Sequence, residues 1–544
     1  MTEANQHNLS ISKKNKKLVL AIFASFLLVA TIIAIVTGVN SQKKSTQNDV
    51  AHAKLGKSTS SKADFLLQVN RSIDAAQSNM VALSKKKATD KTLKAPQKTA
   101  IEDCHQNHGR IVSDLKEVLA GFNADTTMKP QDARDVHAKI SSCLTSDNSC
   151  RDGFSHSRKN KRFRAKLFSA LADVKGSCAK ALGMIPSEQT AEMAIGLTTT
   201  NRKLKEEDDS NEGGGEWSTD RLLFQLSSLT PPDVVVAADG SGDYTTVSAA
   251  VAVAPDYSSK RYIIRIKAGV YRENVEVPKE KSNIMFLGDG RKTTIITGSR
   301  SVAGGSTTYH SATVAVEGQK FLARDITFQN TAGPSKYQAV ALRVESDLAA
   351  FYKCGVLGYQ NTLHVHSNRQ FFRSCFISGT IDFIVGDAAA VFQDCDIQAR
   401  RPNPGQTVTI TAQGRSNPTQ NTGIVIQKCR IGVTSDLHAV RSNFSAYLGR
   451  PWKEYARTVV MQSSISDVIH PAGWNGLKGR FALNTLSFAE YENSGAGAET
   501  SRRVTWEGYK MITSATEAQN FTARNFIDGS SWLKSTTFPF SLDL

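Results

Sequence analysis

Three polar side chains fall at one interval. Gln338, Gln360 and Asp382 are separated by 22 and 22 residues. Two amides can donate hydrogen bonds to a developing oxyanion, and a carboxylate can act as a nucleophile or base. Asp382 lies in Thr380-Ile381-Asp382-Phe383-Ile384, a carboxylate among apolar neighbours. A carboxylate in such a setting calls for a compensating cation. Arg450, in Tyr447-Leu448-Gly449-Arg450-Pro451-Trp452, is the candidate, because a guanidinium binds a carboxylate through two parallel hydrogen bonds. Trp452 beside it offers a flat face on which a sugar ring can stack. The competing reading of the column is purely structural, since stacked Asn, Gln and Asp also support repetitive folds.

The elements that would position these residues show a repeat. Phe351-Tyr352-Lys353-Cys354, Phe371-Phe372-Arg373-Ser374-Cys375 and Val391-Phe392-Gln393-Asp394-Cys395 are variants of one unit, and Val425-Ile426-Gln427-Lys428-Cys429 is a later copy. The first three cysteines are 21 and 20 residues apart. Short β-rich runs with turn residues at such a period indicate a β-solenoid whose coils bury their inner faces against one another. Residues one period apart share a face, so Gln338, Gln360 and Asp382 are expected to form one polar column. The long groove of a solenoid suits an extended polymer. The same stacking would let Cys354 and Cys375 bridge neighbouring coils, with free core thiols as the alternative.

The remainder of the 544 residues has a different texture. Residues 18–39 form a run of 22 uncharged, mainly apolar residues behind Lys13, Lys14, Lys16 and Lys17. That length suits a membrane span better than a secretory h-region, so residues 1–17 read as a cytoplasmic tail and 18–39 as an uncleaved signal anchor. A long cleaved signal peptide is the other reading, and both deliver the chain to the secretory lumen. Eight cysteines suit that compartment, and none forms a CxxC pair, which argues against zinc. Asn70, Asn443 and Asn520 head glycosylation sequons.

Residues 40–62 read as a polar tether. Residues 63–185 carry helical periodicity, with Ile111, Leu115, Val118 and Leu119 on one face, and predict a small disulfide-stapled bundle. Residues 186–232 read as a linker with two basic clusters, Arg202–Lys205 and Arg221, and a solenoid domain follows at 233–544. Exposed basic linkers are sites of proteolysis. The net charge is +17, of which +7 falls in residues 231–544. The excess suits an acidic partner, but no aromatic-interleaved basic run points to nucleic acid.

These segments resemble plant pectin methylesterases that carry an N-terminal inhibitor-like pro-region. The likeness runs from Asp233 to the C-terminus. It rests on Ala237–Gly242, Gly269–Glu273, Gln338–Arg343, Gly358–Gln360, Gly379–Ile384 and Leu448–Trp452. It implies a right-handed parallel β-helix and hydrolysis of the C6 methyl esters of homogalacturonan to methanol and acidic pectin, without a cofactor, in the cell wall. By position, Asp382 corresponds to the nucleophile, and Gln338 and Gln360 to the oxyanion-stabilising amides. Arg450, Trp452 and Thr308 correspond to substrate-binding residues, and Gln338 also contacts substrate. The Cys354–Cys375 pair corresponds to a family disulfide. Ile101–Cys104 and Ser149–Phe154 resemble inhibitor-domain segments, which implies a Cys104–Cys150 pair and a pro-domain acting on its own enzyme. The pairing of Cys143, Cys178, Cys395 and Cys429 is left open. Cleavage of the linker by a subtilisin-like protease follows from the same resemblance.

One departure matters. The family's proton-carrying aspartate is replaced by Asn361 in Tyr359-Gln360-Asn361-Thr362-Leu363-His364. An amide cannot cycle a proton near neutral pH, and losing such help costs about 10²–10⁴ in rate. His364, which replaces a groove-lining Tyr, reads either as a sugar-binding substitution or as the obvious surrogate donor. Val385 replaces a usual Phe. The competing readings are a pectin-binding homologue without turnover, and a pectin lyase or polygalacturonase. The last would be expected to show calcium or clustered aspartates, which the sequence lacks.

Overall fold

The computed structural model describes residues 62–122, 130–154, 161–185 and 231–544. The apolar run at 18–39 and both basic linker clusters lie outside them. No helix among the described residues is long and apolar enough to cross a membrane.

Five helices form the N-terminal part: α1 (Lys62–Thr89), α2 (Ala95–Phe122), α3 (Pro130–Asp152), α4 (Lys161–Ala170) and α5 (Val174–Gly183). The stripe on α2 faces inward: Ile111, Leu115 and Val118 are buried, and Leu119 is half-buried at its edge. Leu83 of α1 and Ile140 and Leu144 of α3 are also fully buried. Cys104 of α2 and Cys150 of α3 are joined by a disulfide.

Residues 234–511 wind into a right-handed parallel β-helix whose three parallel sheets hold eleven, eight and seven of the described strands. The seven-stranded sheet bears the site. Its strands are β1 (Val275–Val277), β2 (Val314–Val316), β3 (Leu342–Val344), β4 (Leu363–Val365), β5 (Ile384–Gly386), β6 (Val408–Gln413) and β7 (Ala446–Pro451), one per coil. Leu342, Leu363 and Ile384 are in register and fully buried. Alternation along each strand therefore turns Arg343, His364, Val385, Ala412 and Arg450 to the outer face, also in register.

The repeated cysteine unit is a corner. Lys353, Ser374, Asp394 and Lys428, each preceding a cysteine, have φ of 52°, 52°, 49° and 53°. This left-handed turn redirects the chain from the eleven-stranded sheet into the eight-stranded one. Just before the first three corners the aromatic side chains stack inside the coil: Phe351 on Phe372 at 4.7 Å and Phe372 on Phe392 at 4.6 Å, both nearly parallel. Cys354, Cys375, Cys395 and Cys429 follow the corners as a buried column of thiols. The bridge expected between Cys354 and Cys375 is not formed. Each of the four sulfurs instead lies 3.2–3.5 Å from the carbonyl two residues back, at its own corner.

Candidate active site

The ladder repeat at the site is shorter than the spacing of the three polar residues. Leu342, Leu363 and Ile384 pair at intervals of 21, so Gln338, Gln360 and Asp382 stand four, three and two residues ahead of β3, β4 and β5. They climb by one position per coil and do not form a single-register column. The true neighbour of Asp382 on the preceding coil is Asn361, whose backbone N–H donates to Ile381 O at 3.1 Å. The neighbour on the following coil is Thr409, since Ile384 pairs with Thr411. Asn361 and Asp382 both hold left-handed backbones, with φ of 59° and 49°.

Asp382 is held by a fork. Arg450 Nε donates to Oδ1 at 2.8 Å and Nη2 to Oδ2 at 2.7 Å. Arg450 reaches it from the outer face of β7, where Ala412 is its register partner. Thr409 adds two bonds that the sequence did not announce. Its hydroxyl donates to Asp382 Oδ1 at 2.6 Å and accepts the Asp382 backbone N–H at 2.9 Å. Thr409 lies 27 residues beyond Asp382 because the coil carries an extra loop at 400–407, so it falls off the sequence period.

Two amide oxygens near this fork are unspent. Among the described residues, the buried Gln338 Oε1 and Asn361 Oδ1 have no hydrogen-bond partner. Trp452 continues from β7, its backbone N–H donating to Gln413 O at 3.1 Å. Its ring lies against Gly414, where an added Cβ would stand 2.8 Å from Trp452 Cε3. Thr308 opens the short turn Tyr309–Ser311 on the coil before Gln338, and its carbonyl accepts the Ser311 hydroxyl at 2.7 Å.

His364 lies on the outer face of β4, its ring 6.4 Å from that of Trp452. Only 5% of its surface is exposed, and burial pushes its pKa down to about 4. The imidazole is therefore neutral through the mildly acidic and neutral range. A buried, neutral imidazole does not suit the role of proton donor while the helical domain is docked.

The helical domain closes one side of this sheet. Its solenoid partners sit just past the ends of successive strands. Arg110 of α2 pairs with Glu317 at 2.6 Å and with Glu345. On α3, the Thr145 hydroxyl donates to Asp387 at 2.7 Å, Asn148 donates to Ser416 Oγ at 2.7 Å, and Ser149 Oγ lies 2.6 Å from His366 Nε2. Lys453, next to Trp452, reaches Asp152 at 2.7 Å. Asp103 meets His310 at 2.7 Å, and this contact raises the His310 pKa. Burial raises the Asp387 pKa and drives that of His366 well down. The seam thus contains desolvated charges and directional hydrogen bonds.

Comparison with known proteins gives a consistent result. The family profile described as Pectinesterase matches residues 233–530, and that described as Plant invertase/pectin methylesterase inhibitor matches residues 42–184. The chain is 53% identical to Pectinesterase 1 of Citrus sinensis, over 100% of this chain and 98% of that protein. It is 51% identical to Pectinesterase/pectinesterase inhibitor 3 of Arabidopsis thaliana, covering 98% of each. Among solved structures, Pectin methylesterase from Carrot is 70% identical, with a TM-score of 0.58, over 58% of this chain and 99% of that one. The carrot structure therefore corresponds to a solenoid standing without a helical domain.

Proposed function

Since this chain belongs to the pectinesterase family, we propose that Asp382 is the nucleophile of a pectin methylesterase acting on the C6 methyl esters of homogalacturonan. The observation that carries this reading is the two-bond Arg450 fork on Asp382, which fixes the carboxylate and aims it on the groove face. Asp382 attacks the ester carbonyl, and the amide N–H groups of Gln338 and Gln360 stabilise the oxyanion. Methoxide leaves with a proton from water. A second water then cleaves the acyl-enzyme anhydride and regenerates the carboxylate. Trp452 and Thr308 hold neighbouring sugar rings, and no cofactor enters the scheme. Asn361 takes no proton, so both proton transfers run through water and turnover is slow for this fold.

The helical domain acts as an intramolecular inhibitor. It occupies the strand ends next to Trp452 through Arg110, Ser149 and Asp152. Cutting the linker at Arg202–Lys205 or Arg221 by a subtilisin-like protease would free the groove. The run at 18–39 carries the chain into the secretory route as a membrane anchor, and the solenoid works in the extracellular wall.

A second reading has its own support. Asn361 beside Asp382, with His364 neutral, leaves no proton carrier adjacent to the nucleophile, as expected of a pectin-binding homologue with little or no turnover. Methanol release from highly methylated pectin decides between them. It is measured for residues 231–544, their Asp382→Ala variant and their Asn361→Asp variant. Release that Asp382→Ala abolishes establishes the esterase. Silence that Asn361→Asp relieves establishes the binder.

A further inference from the structure

We infer that Thr409 is a positioning residue for Asp382, and that it assigns Oδ2 as the attacking oxygen. This rests on the reading of Asp382 as nucleophile. The two carboxylate oxygens are unequally engaged. Oδ1 accepts from Thr409 Oγ1 at 2.6 Å and from Arg450 Nε at 2.8 Å, whereas among the described residues Oδ2 accepts from Arg450 Nη2 alone at 2.7 Å. The oxygen with fewer donors keeps the freer lone pair, so Oδ2 forms the bond to C6.

The same hydroxyl fixes the backbone. Asp382 sits at φ 49°, a conformation that non-glycine residues rarely adopt, and its N–H finds its acceptor in Thr409 Oγ1 at 2.9 Å. Thr409 is 1% exposed. It is tied to the neighbouring coil by its own N–H to Thr380 O at 3.1 Å and by Phe383 N–H to its carbonyl at 3.3 Å. One residue thus clamps Asp382 at both backbone and carboxylate.

The clamp acts in both halves of the reaction. In acylation, Oδ2 bonds to C6, the carbonyl electron pair moves to oxygen, and its return expels methoxide, which takes a proton from water. Oδ1 becomes the carbonyl oxygen of the anhydride and keeps its two donors. In deacylation, water adds to C6, the C6–Oδ2 bond breaks with its electron pair, and the water's proton passes to solvent. The departing carboxylate delocalises its charge onto Oδ1, where Thr409 and Arg450 already wait.

The test compares Thr409→Val, Thr409→Ala and Thr409→Ser in the full chain and in residues 231–544. Methanol release and thermal melting are followed, and all are repeated in an Asn361→Asp background. Valine and alanine should lower kcat about 10- to 100-fold with KM within twofold, and serine should restore most of the loss. Alanine keeps the comparison decisive should valine disturb the coil. Hydroxyl-free variants that turn over like the parent overturn the proposal. So does a serine variant as slow as alanine, since the threonine methyl would then be the agent. Absence of methanol from both the parent and the Asn361→Asp background, with melting intact, removes the nucleophile reading and this one with it.

Discussion

Asn361 and Asp382 are ladder neighbours on adjacent coils, joined by the Asn361 N–H to Ile381 carbonyl bond of 3.1 Å. Both turn out of the regular strand on a left-handed backbone, with φ of 59° and 49°. The side chain at 361 is therefore the one that the fold itself holds beside Asp382, and an amide there is chemically inert to proton transfer.

Asn361→Asp should raise kcat by about 10²-fold or more, because a carboxyl at this place can donate to methoxide and then accept from water. Asparagine and aspartate are nearly isosteric, so the backbone has no reason to move. The variant should also acquire a bell-shaped pH profile that the parent lacks. The check is methanol release across pH 4–9, and a variant no faster than the parent would mean that residue 361 does not set the rate.

His364 should matter to stability and not to proton transfer. Its pKa falls to about 4 by burial, against an ordinary 6.5. A depressed histidine contributes stability that is whole above 6.5 and is lost as pH falls toward 4, where the unfolded chain protonates before the folded one. The full loss is about 3 kcal/mol. His364→Phe should show a shallower decline in unfolding free energy between pH 6.5 and 4, measured by urea titration, with methanol release near neutral pH within a few-fold of the parent.

Much of this site could be read in the residues, and the part that could not has a physical cause. The Phe-x-x-Cys corners announced the solenoid because a left-handed turn and an inward small residue recur once per coil. Arg450 could be assigned to Asp382 because a half-buried carboxylate needs a cation. Thr409 escaped because the loop at 400–407 lengthens one coil, so the period that relates 361 to 382 does not carry on to 409. The cysteine bridge failed for a related reason. Equal spacing reports a shared register, but a parallel ladder aligns side chains side by side, and each thiol is satisfied by its own corner carbonyl. Burial of His364 depends on the groove walls, which leave no mark in its local sequence.

Gly414→Ala should disturb substrate binding through Trp452. The added methyl would stand 2.8 Å from Cε3, a ring edge that cannot bend away, so the indole must shift. If Trp452 supports a sugar ring, KM for pectin should rise several-fold while kcat stays near the parent value, the pattern expected when binding common to ground and transition states is lost. Equal loss in kcat and kcat/KM would instead place Trp452 at the reacting centre.

The seam between the helical domain and the solenoid should respond to pH through His310. Asp103 raises the pKa of His310 in the docked state, so this pair favours docking below the histidine's ordinary value and ceases to do so as pH rises through the raised one. Other groups at the seam titrate as well, among them His137, Glu117, His366 and Asp387. His366 is buried and held neutral, so its protonation opposes docking as pH falls. Burial raises the pKa of Asp387, against the lowering by its Thr422 and Thr145 hydroxyl donors. The parent profile is the sum of these opposed effects, but the His310 contribution can be isolated by difference. In a chain cut within the linker, His310→Gln should weaken retention of the helical fragment by about 1–2 kcal/mol at pH 5.5 and by little at pH 8. Size-exclusion chromatography of the cut protein at the two pH values measures this directly. An equal loss at both would show that His310 holds the seam by shape and not by charge.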